Sequence, residues 1–446
     1  MTMTTHMEQL AATYPHAINP NRRKQAAWLT GFLALLGYLV YIWFSFDVSA
    51  AIARANMDRA ALLALDSYAY KHHVELSMRD GEIMVNLEGN RRAAFEEYPD
   101  WVVDQGDHTR VDMGQGYIAL LSVEQLQVFK DDTLIVDVEQ TPTGPILHSE
   151  EQSWMRVAPN KIEGRPDRYV RFIATKSKII LQRYSTGWEN FWFDNNSPLH
   201  GTSFWTAIGL TMSSERVDPA QSNTSLVFSE IWDNAEWQHG QVMYAMLITI
   251  LMAFCGTILA AITALPLSFM AANNINPVGL LRGVTKRIFD FLRGVDALIW
   301  SLIFIRAFGL GPLSGILALW FTDTGTFGKL FSEAIENADK KQIEGVSSVG
   351  AGPVQSTWFG VIPQILPVLI SQTLYFLESN TRSATVIGML GAGGIGLKLA
   401  DTMRTGQDWE NTMYIIALIV TVVILMDNLS SWLRSRLING QEKNAL

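Results

Sequence analysis

The 446-residue chain holds a single cysteine, Cys255, set in an apolar run, so neither a disulfide framework nor a thiolate metal site organises it. Charge is scarce as well. Asp, Glu, Lys and Arg make up 17% of the residues, where a soluble domain carries about 25%. Nor is there any basic excess: the net charge of -9 excludes the positive surface that a nucleic-acid partner requires. No internal repeat or low-complexity tract stands out, and the His72-His73 doublet has no third ligand to make a metal site. What the chain does have is apolar surface, with 48% hydrophobic residues and a mean hydropathy of +0.13. These proportions point to an integral membrane protein with a sizeable water-soluble part.

A spanning helix needs about 20 mostly apolar residues, because every backbone amide must be paired inside the hydrocarbon. Trp28–Phe46 meets this without a charge, and it is too long and too far from a small-residue cleavage site for a removable signal peptide. Further runs lie at Val242–Ala264 (extending toward Met270), Ala297–Leu310, Pro312–Phe331, Pro363–Ile387 and Met413–Leu433. Arg306, Asp323 and Lys329 interrupt the third and fourth. Six crossings place both termini on one side of the membrane. The basic residues name that side: Arg22, Arg23 and Lys24 precede the first run, Arg282, Lys286, Arg287 and Arg293 share one loop, Lys340 and Lys341 the next, and Arg434, Arg436 and Lys443 follow the last. The positive-inside rule makes it the cytoplasm.

The expected organisation is therefore a cytoplasmic segment 1–27, a first span 28–46, an extracytoplasmic domain 47–240, a helical core 241–437 carrying spans two to six, and a cytoplasmic tail 438–446. The 47–240 segment starts helical over Val48–Tyr70, continuing the first span, and then alternates apolar and polar residues as half-buried strands do. Val74–Met78 and Glu82–Leu87 flank Arg79-Asp80-Gly81, a hairpin signal with Gly at the positive-φ position. Leu126–Phe129 and Thr133–Val138 flank Lys130-Asp131-Asp132 likewise, and Tyr169–Ala174 and Lys178–Tyr184 suggest two more strands. Trp232 and Trp237, just before the second span, suit an interfacial aromatic belt.

Between spans four and five stands Glu344-Gly345-Val346-Ser347-Ser348-Val349-Gly350, then nine residues, then Gly360-Val361-Ile362-Pro363. A short helix with small residues can seat in a groove of a partner, Gly350 permits a sharp reversal, and Pro363 fits the first turn of the next helix. The plain alternative is an ordinary helical connector. This stretch resembles the Glu-Ala-Ala loop of ATP-binding-cassette (ABC) importer permeases, matching its glutamate, glycine and proline spacings. Gly345 and Val346 replace the two alanines, Gly360 an isoleucine and Ile362 a leucine.

A second stretch, Leu377–Gly388 running into Met389-Leu390-Gly391-Ala392-Gly393-Gly394-Ile395-Gly396, is similar to phosphonate importer permeases, which also take phosphate-like oxyanions. Phe308–Pro312 and Gly328–Glu336 are similar to that family too. The resemblance covers Met243 to Leu437 and leaves out the 47–240 domain; before the third span the family commonly has a proline where this chain has Asp296. It implies an all-α membrane protein with six transmembrane helices of the type I ABC importer permease fold; the alternation within 47–240 adds an extracytoplasmic β-rich (α+β) domain inserted between helices 1 and 2. It also implies a bacterial inner-membrane permease that moves phosphonate, phosphate or phosphite by alternating access. Its partners would be a cytoplasmic ATPase dimer docked on Glu344–Gly350, a periplasmic phosphonate- or phosphate-type binding protein, and a second permease, identical or similar. ATP would be bound by the partners, leaving this chain with no cofactor, metal or catalytic residue of its own.

Within the bilayer, Glu378 and Arg382 lie four apart on one helix face, where they can neutralise each other, and an arginine fork suits phosphonate oxygens. Arg382 is thus a candidate for the translocation path, with Glu378 and Asn380 holding its geometry; a structural ion pair is the alternative. Arg306 and Asp323 can form another pair, and Asp427 pairs with a neighbour or lies near the inner interface. Gly391-Ala392-Gly393-Gly394-Ile395-Gly396 fits Gly-x-Gly-x-x-Gly, but a spanning helix precedes it where a nucleotide site requires a strand. It is no P-loop either, since Leu397 separates Gly396 from Lys398. Gly391, Gly393, Gly394 and Gly396 form a tight outer loop whose N–H groups receive an anion, or a close-packed turn; the sequence leaves both open. Two other functional classes compete with a permease: a membrane-anchored enzyme and a receptor, each acting through the extracytoplasmic domain. That domain shows no Ser/His/Asp ordering or glycine-rich elbow.

Overall fold

A computed structural model describes residues 22–442 except 56, 88–93, 96 and 406–407. Most of the expected segment 1–27, and Lys443, lie outside the described residues. The chain divides into two compact units between Leu63 and Ala64.

The first unit opens with helix α1 (Arg22–Ser45), whose Lys24–Ser45 stretch is long and apolar enough to cross a membrane. It does not continue unbroken into the next segment. Asp47 takes a left-handed backbone (φ 48°), and a separate helix α2 (Val48–Arg54) follows, then α3 (Met57–Asp66), which bridges the division.

The second unit begins with a β sandwich. One sheet has the spatial order β2 (Ile83–Leu87), β1 (Ala69–Ser77), β12 (Lys178–Thr186), β11 (Val170–Thr175), β10 (Lys161–Asp167), β9 (Met155–Ala158). The other is a meander of β3 (Val102–Asp104), β4 (Thr109–Gly114), β5 (Tyr117–Leu121), β6 (Gln125–Lys130), β7 (Thr133–Thr141) and β8 (Gly144–Leu147). All pairings are antiparallel. Every second residue of the strands turns inward, Val111 and Met113 on β4 and Leu126 and Val128 on β6 for example, and both sheets share one apolar core. The two anticipated hairpins form: β1 pairs β2 across Gly81 (φ 73°), and β6 pairs β7 across Asp131 and Asp132, both at positive φ; the two further strands expected, β11 and β12, pair with each other.

Two short helices, α4 (Phe204–Thr211) and α5 (Asn223–Trp232), lead from the sandwich to the helical core. There α6 (His239–Ala271) runs away from the sandwich, α7 (Gly279–Gly294) and α8 (Ala297–Phe308) run back, and α9 (Pro312–Glu336) runs away again. After α10 (Lys340–Ser348), a continuous helical rod returns through α11 (Pro353–Ser356), a π-helical turn (Thr357–Val361) and α12 (Ile362–Ile387). A second π turn (Gly388–Ala392) and α13 (Gly394–Thr405) follow, and α14 (Trp409–Glu442) completes the core. Small residues set the helix spacing. Ala245, Thr249, Ala253, Gly256, Ala260 and Ala264 form a buried stripe on α6, and Gly256 lies against Leu319 of α9 too closely to admit a Cβ.

Among the described residues four helical stretches are long and apolar enough to span a membrane, not six: Lys24–Ser45, His239–Ala271, Pro353–Ala392 and Trp409–Arg436. Helix α8, at 12 residues, rises about 18 Å, well short of the ~30 Å hydrocarbon core. Helix α9 is long, but Asp323, Lys329, Glu333 and Glu336 dilute its hydropathy. The structure explains α8's shortness. Asp296 accepts from the Leu298 N–H at 2.8 Å and caps α8, dividing one long rod into α7 and α8. Both halves pack along α9, Phe289 of α7 on Gly328 and Trp300 of α8 on Phe321. Arg282, Lys286, Arg287 and Arg293 consequently stand on a helix, not in a loop, with Lys286 paired to Glu336 of α9 at 3.1 Å.

Candidate functional site

The Glu344 segment occupies the end of the core away from the sandwich. Asp339 caps α10 by accepting from the Lys341 N–H at 2.9 Å. Ile343 and Val346 turn partly inward over Gly360, while Glu344 and Gly345 face out. Among the described residues nothing lies within 4 Å of the missing Cβ of Gly345, so its small size serves no packing there. Gly350 reverses the chain at φ 91°, and the Ser347 and Ser356 hydroxyls, 2.9 Å apart, tie α10 to α11. Pro363 is the second residue of α12, in its first turn as the spacing suggested. The helical rod has already begun at Pro353, so Pro363 sits inside it, directly after the π turn. A proline ring clashes with the carbonyl four residues back, and the wider π turn is a known way to absorb that clash.

Midway along the core, Arg382 Nη2 donates to Glu378 Oε1 at 3.2 Å, with Glu378 buried and Arg382 exposed. Asn380 does not share that face, because two residues turn a helix by about 200°. Its amide instead donates to Asp323 of α9 and, at 2.8 Å, to Thr257 Oγ1 of α6, tying three helices together at a buried point. Arg306 is exposed and makes no pair with Asp323.

The glycine run lies at the sandwich end. Gly391, Gly393 and Gly394 all have positive φ, and the Gly391 carbonyl accepts from the Gly311 N–H at 3.2 Å. A Cβ on Gly396 would overlap the Thr385 carbonyl, and one on Gly394 the Thr249 hydroxyl, which itself accepts from the Ile395 N–H at 2.8 Å. The run is therefore a close-packed turn on its buried side. On its other side Gly393 and Gly394 border an open cavity of about 800 Å³ lined by the end of α5, the first turns of α6 and α13. Lys398 of α13 stands in it, donating to Gln238 Oε1 at 3.0 Å and Gln241 Oε1 at 2.8 Å.

Residues 264–438 match the family described as the binding-protein-dependent transport system inner membrane component. A cryptic phosphonate transport system permease protein of Escherichia coli is 45% identical over 123 residues, 28% of this chain and all of that one. A phosphite transport system permease of Stutzerimonas stutzeri is 39% identical over 186 residues, 42% of this chain and 67% of the relative. The chain belongs to this permease family. A phosphate-import permease of Mycolicibacterium smegmatis is 36% identical over 198 residues, 44% of this chain, but the match spans only 37% of that relative's length. All three matches fall short of half this chain. The membrane part of this permease has the type I ABC importer fold, and the β sandwich is inserted before it.

Of the residues that fasten the sandwich to the permease core, the sequence singled out Trp237 alone. Lys71 of β1 donates to Glu410 of α14 at 2.9 Å, with side-chain exposures of 2% and 0%. Beside this pair Trp188, Phe191, Trp237, His239 and Tyr414 form an aromatic node, with ring centroids 4.8–6.4 Å apart around Phe191 and Tyr414. The Phe191 carbonyl can only accept, so it takes the His239 Nε2 proton, and His239 Nδ1 accepts from the Tyr414 hydroxyl at 2.8 Å. Trp237 is thus buried in this joint rather than displayed to a membrane interface, whereas Trp232 is partly exposed. The tryptophan and histidine types were visible signals; their convergence with a residue 175 positions away was not.

Proposed function

We propose that this chain is the membrane-spanning permease subunit of an ABC importer for phosphonate or a related oxyanion, phosphate or phosphite. The observation that carries it is the family match over residues 264–438, whose relatives are named as phosphonate, phosphite and phosphate permeases rather than enzymes or receptors. The geometry supports the reading. A capped helix with an outward Glu344 and an unused space at Gly345 stands at one end of the core, as a docking element for an ATPase would.

In this reading the membrane is crossed six times, the α7–α8 rod and α9 supplying the third and fourth crossings beside α6, α12 and α14. Residues 1–27 and 438–446 are cytoplasmic, 28–46 is the first span, 47–240 is extracytoplasmic and 241–437 is the core, in a bacterial inner membrane. Arg282, Lys286 and Arg287 of α7 and Lys340 and Lys341 of α10, all at the end away from the sandwich, support that orientation. Two permeases, identical or similar, would enclose the path; an ATPase dimer would dock on Glu344–Gly350, and a periplasmic binding protein would deliver cargo. Glu378 and Arg382 would line the route, and Asn380 would hold α6, α9 and α12 together behind them.

The test is reconstitution in liposomes with the ATPase and binding protein. Wild type is expected to accumulate phosphonate or phosphite in an ATP-dependent way. Deleting Glu344–Gly350 should leave a folded permease that neither stimulates the ATPase nor transports. Full transport by that deletion would refute the coupling assignment.

A further inference from the structure

We propose that the cavity between α6 and α13 binds a tetrahedral phosphorus oxyanion, free or as the headgroup phosphate of a lipid, through Lys398, Gln238 and Gln241. In its free form the ligand would be the cargo, so that arm rests on the functional reading above. The size is suitable: about 800 Å³ lies within the range of small-molecule sites.

The polar wall presents donors. An ammonium can only donate, so the two glutamine side chains must turn their oxygens to Lys398, at 3.0 and 2.8 Å. Their NH2 groups are left as donors, and the ammonium keeps a third proton. One cation and two amides whose NH2 groups remain to donate complement a multiply charged oxyanion. Lys398 is also under-solvated, since burial lowers its pKa despite the opposing charge of Asp401, and an anion would restore what burial removed.

A second observation singles out Gln238. It takes a left-handed backbone, φ 51° and ψ 41°, as the residue before α6, where glycine or asparagine would sit with less strain. No side-chain cap bond to α6 accounts for that conformation; the side chain goes to Lys398 instead. Strain held at a residue whose side chain enters a cavity is characteristic of binding sites. Part of the remaining wall is apolar, with Tyr244, Ile248 and Leu397 placed to receive an organic substituent or the start of an acyl chain. Asp233 and Asp401 also reach the cavity, and Asp401 is shared with Arg404 at 3.6 Å. These acids weaken anion binding, as suits a site that must release its ligand onward.

The full chain, assembled with its ATPase in a phosphate-free maltoside detergent, separates the possibilities. Line broadening of the ³¹P resonances of methylphosphonate and inorganic phosphate reads the free-anion arm; native mass spectrometry with added phosphatidylglycerol reads the lipid arm. Wild type should bind at least one probe, Lys398→Met should weaken that binding roughly tenfold, and Lys398→Arg should retain it. Loss confined to the free anions assigns cargo; loss confined to the lipid assigns a headgroup. Either supports the site. If wild type binds neither probe, or Lys398→Met binds as well as wild type, the proposal is overturned. Should Lys398→Met fail to assemble, Gln241→Leu at the exposed rim is read by the same criteria. Uptake by wild type in liposomes is scored separately. Transport by wild type together with probe binding by Lys398→Met that equals wild type refutes the cavity site alone, and a lipid-binding cavity without oxyanion uptake by wild type refutes the functional reading alone.

Discussion

Lys71 and Glu410 are 339 residues apart in the sequence and almost wholly shielded from water. Two charges withdrawn together cost little more than an apolar pair, but removing one strands the other. Lys71→Met is therefore expected to cost about 3–5 kcal/mol, read as a lowered melting temperature in detergent, and Lys71→Met with Glu410→Leu should recover most of it. The histidine doublet behaves differently. Burial lowers His72 to about 4 and His73 to about 3, against an ordinary value of 6.5. Both are neutral in the folded sandwich, so below pH 6.5 the unfolded chain gains protons that the folded one refuses. Stability is complete above pH 6.5 and falls on acidification, by roughly 2 kcal/mol per histidine at pH 5, until the folded values are passed. Denaturation of the sandwich followed from pH 7.5 to 5 should show this slope, and His73→Gln should flatten it by about half. The sequence left the doublet either solvated or packed, because its burial depends on how β1 pairs with β2 and β12. Nor was the role of Asn380 legible, because its partners lie on two other helices.

Among the elements, the hairpins were the most readable, since Arg79-Asp80-Gly81 and Lys130-Asp131-Asp132 carry their turn geometry locally. The break at Asp296 and the π turn before Pro363 were hidden, because each depends on how a rod packs along α9 or absorbs a proline ring. Glycines separate structural from unused space. A methyl at Gly328 would overlap the Phe289 ring, so Gly328→Ala should destabilise the α7–α9 contact by about 1–3 kcal/mol. A methyl at Gly345 meets none of the described residues, so Gly345→Ala should leave the melting temperature unchanged or raise it slightly, α10 gaining up to about 1 kcal/mol of helix propensity. Thermal unfolding of the two variants side by side checks the contrast.

For the whole molecule, the sequence announced a β-rich insertion ahead of a helical core, since composition and periodicity change at the boundary. It did not announce that the two are joined firmly. Trp188, Phe191, His239 and Tyr414 come from the end of the sandwich and the starts of α6 and α14, and no local pattern links them. Such a joint should hold the sandwich in one pose on the core. Spin labels at Asp132→Cys and Arg404→Cys, with Cys255→Ser, are expected to give one narrow distance distribution, broadened when Glu410→Gln and Trp188→Ala loosen the joint. The carboxylate at the start of α14 also makes the insertion non-modular. Excising the sandwich would leave Glu410 and Tyr414 without the lysine and aromatic rings that house them, and grafting it onto another permease would fail unless the host's two receiving helices were recut to match. Lock and key must travel together.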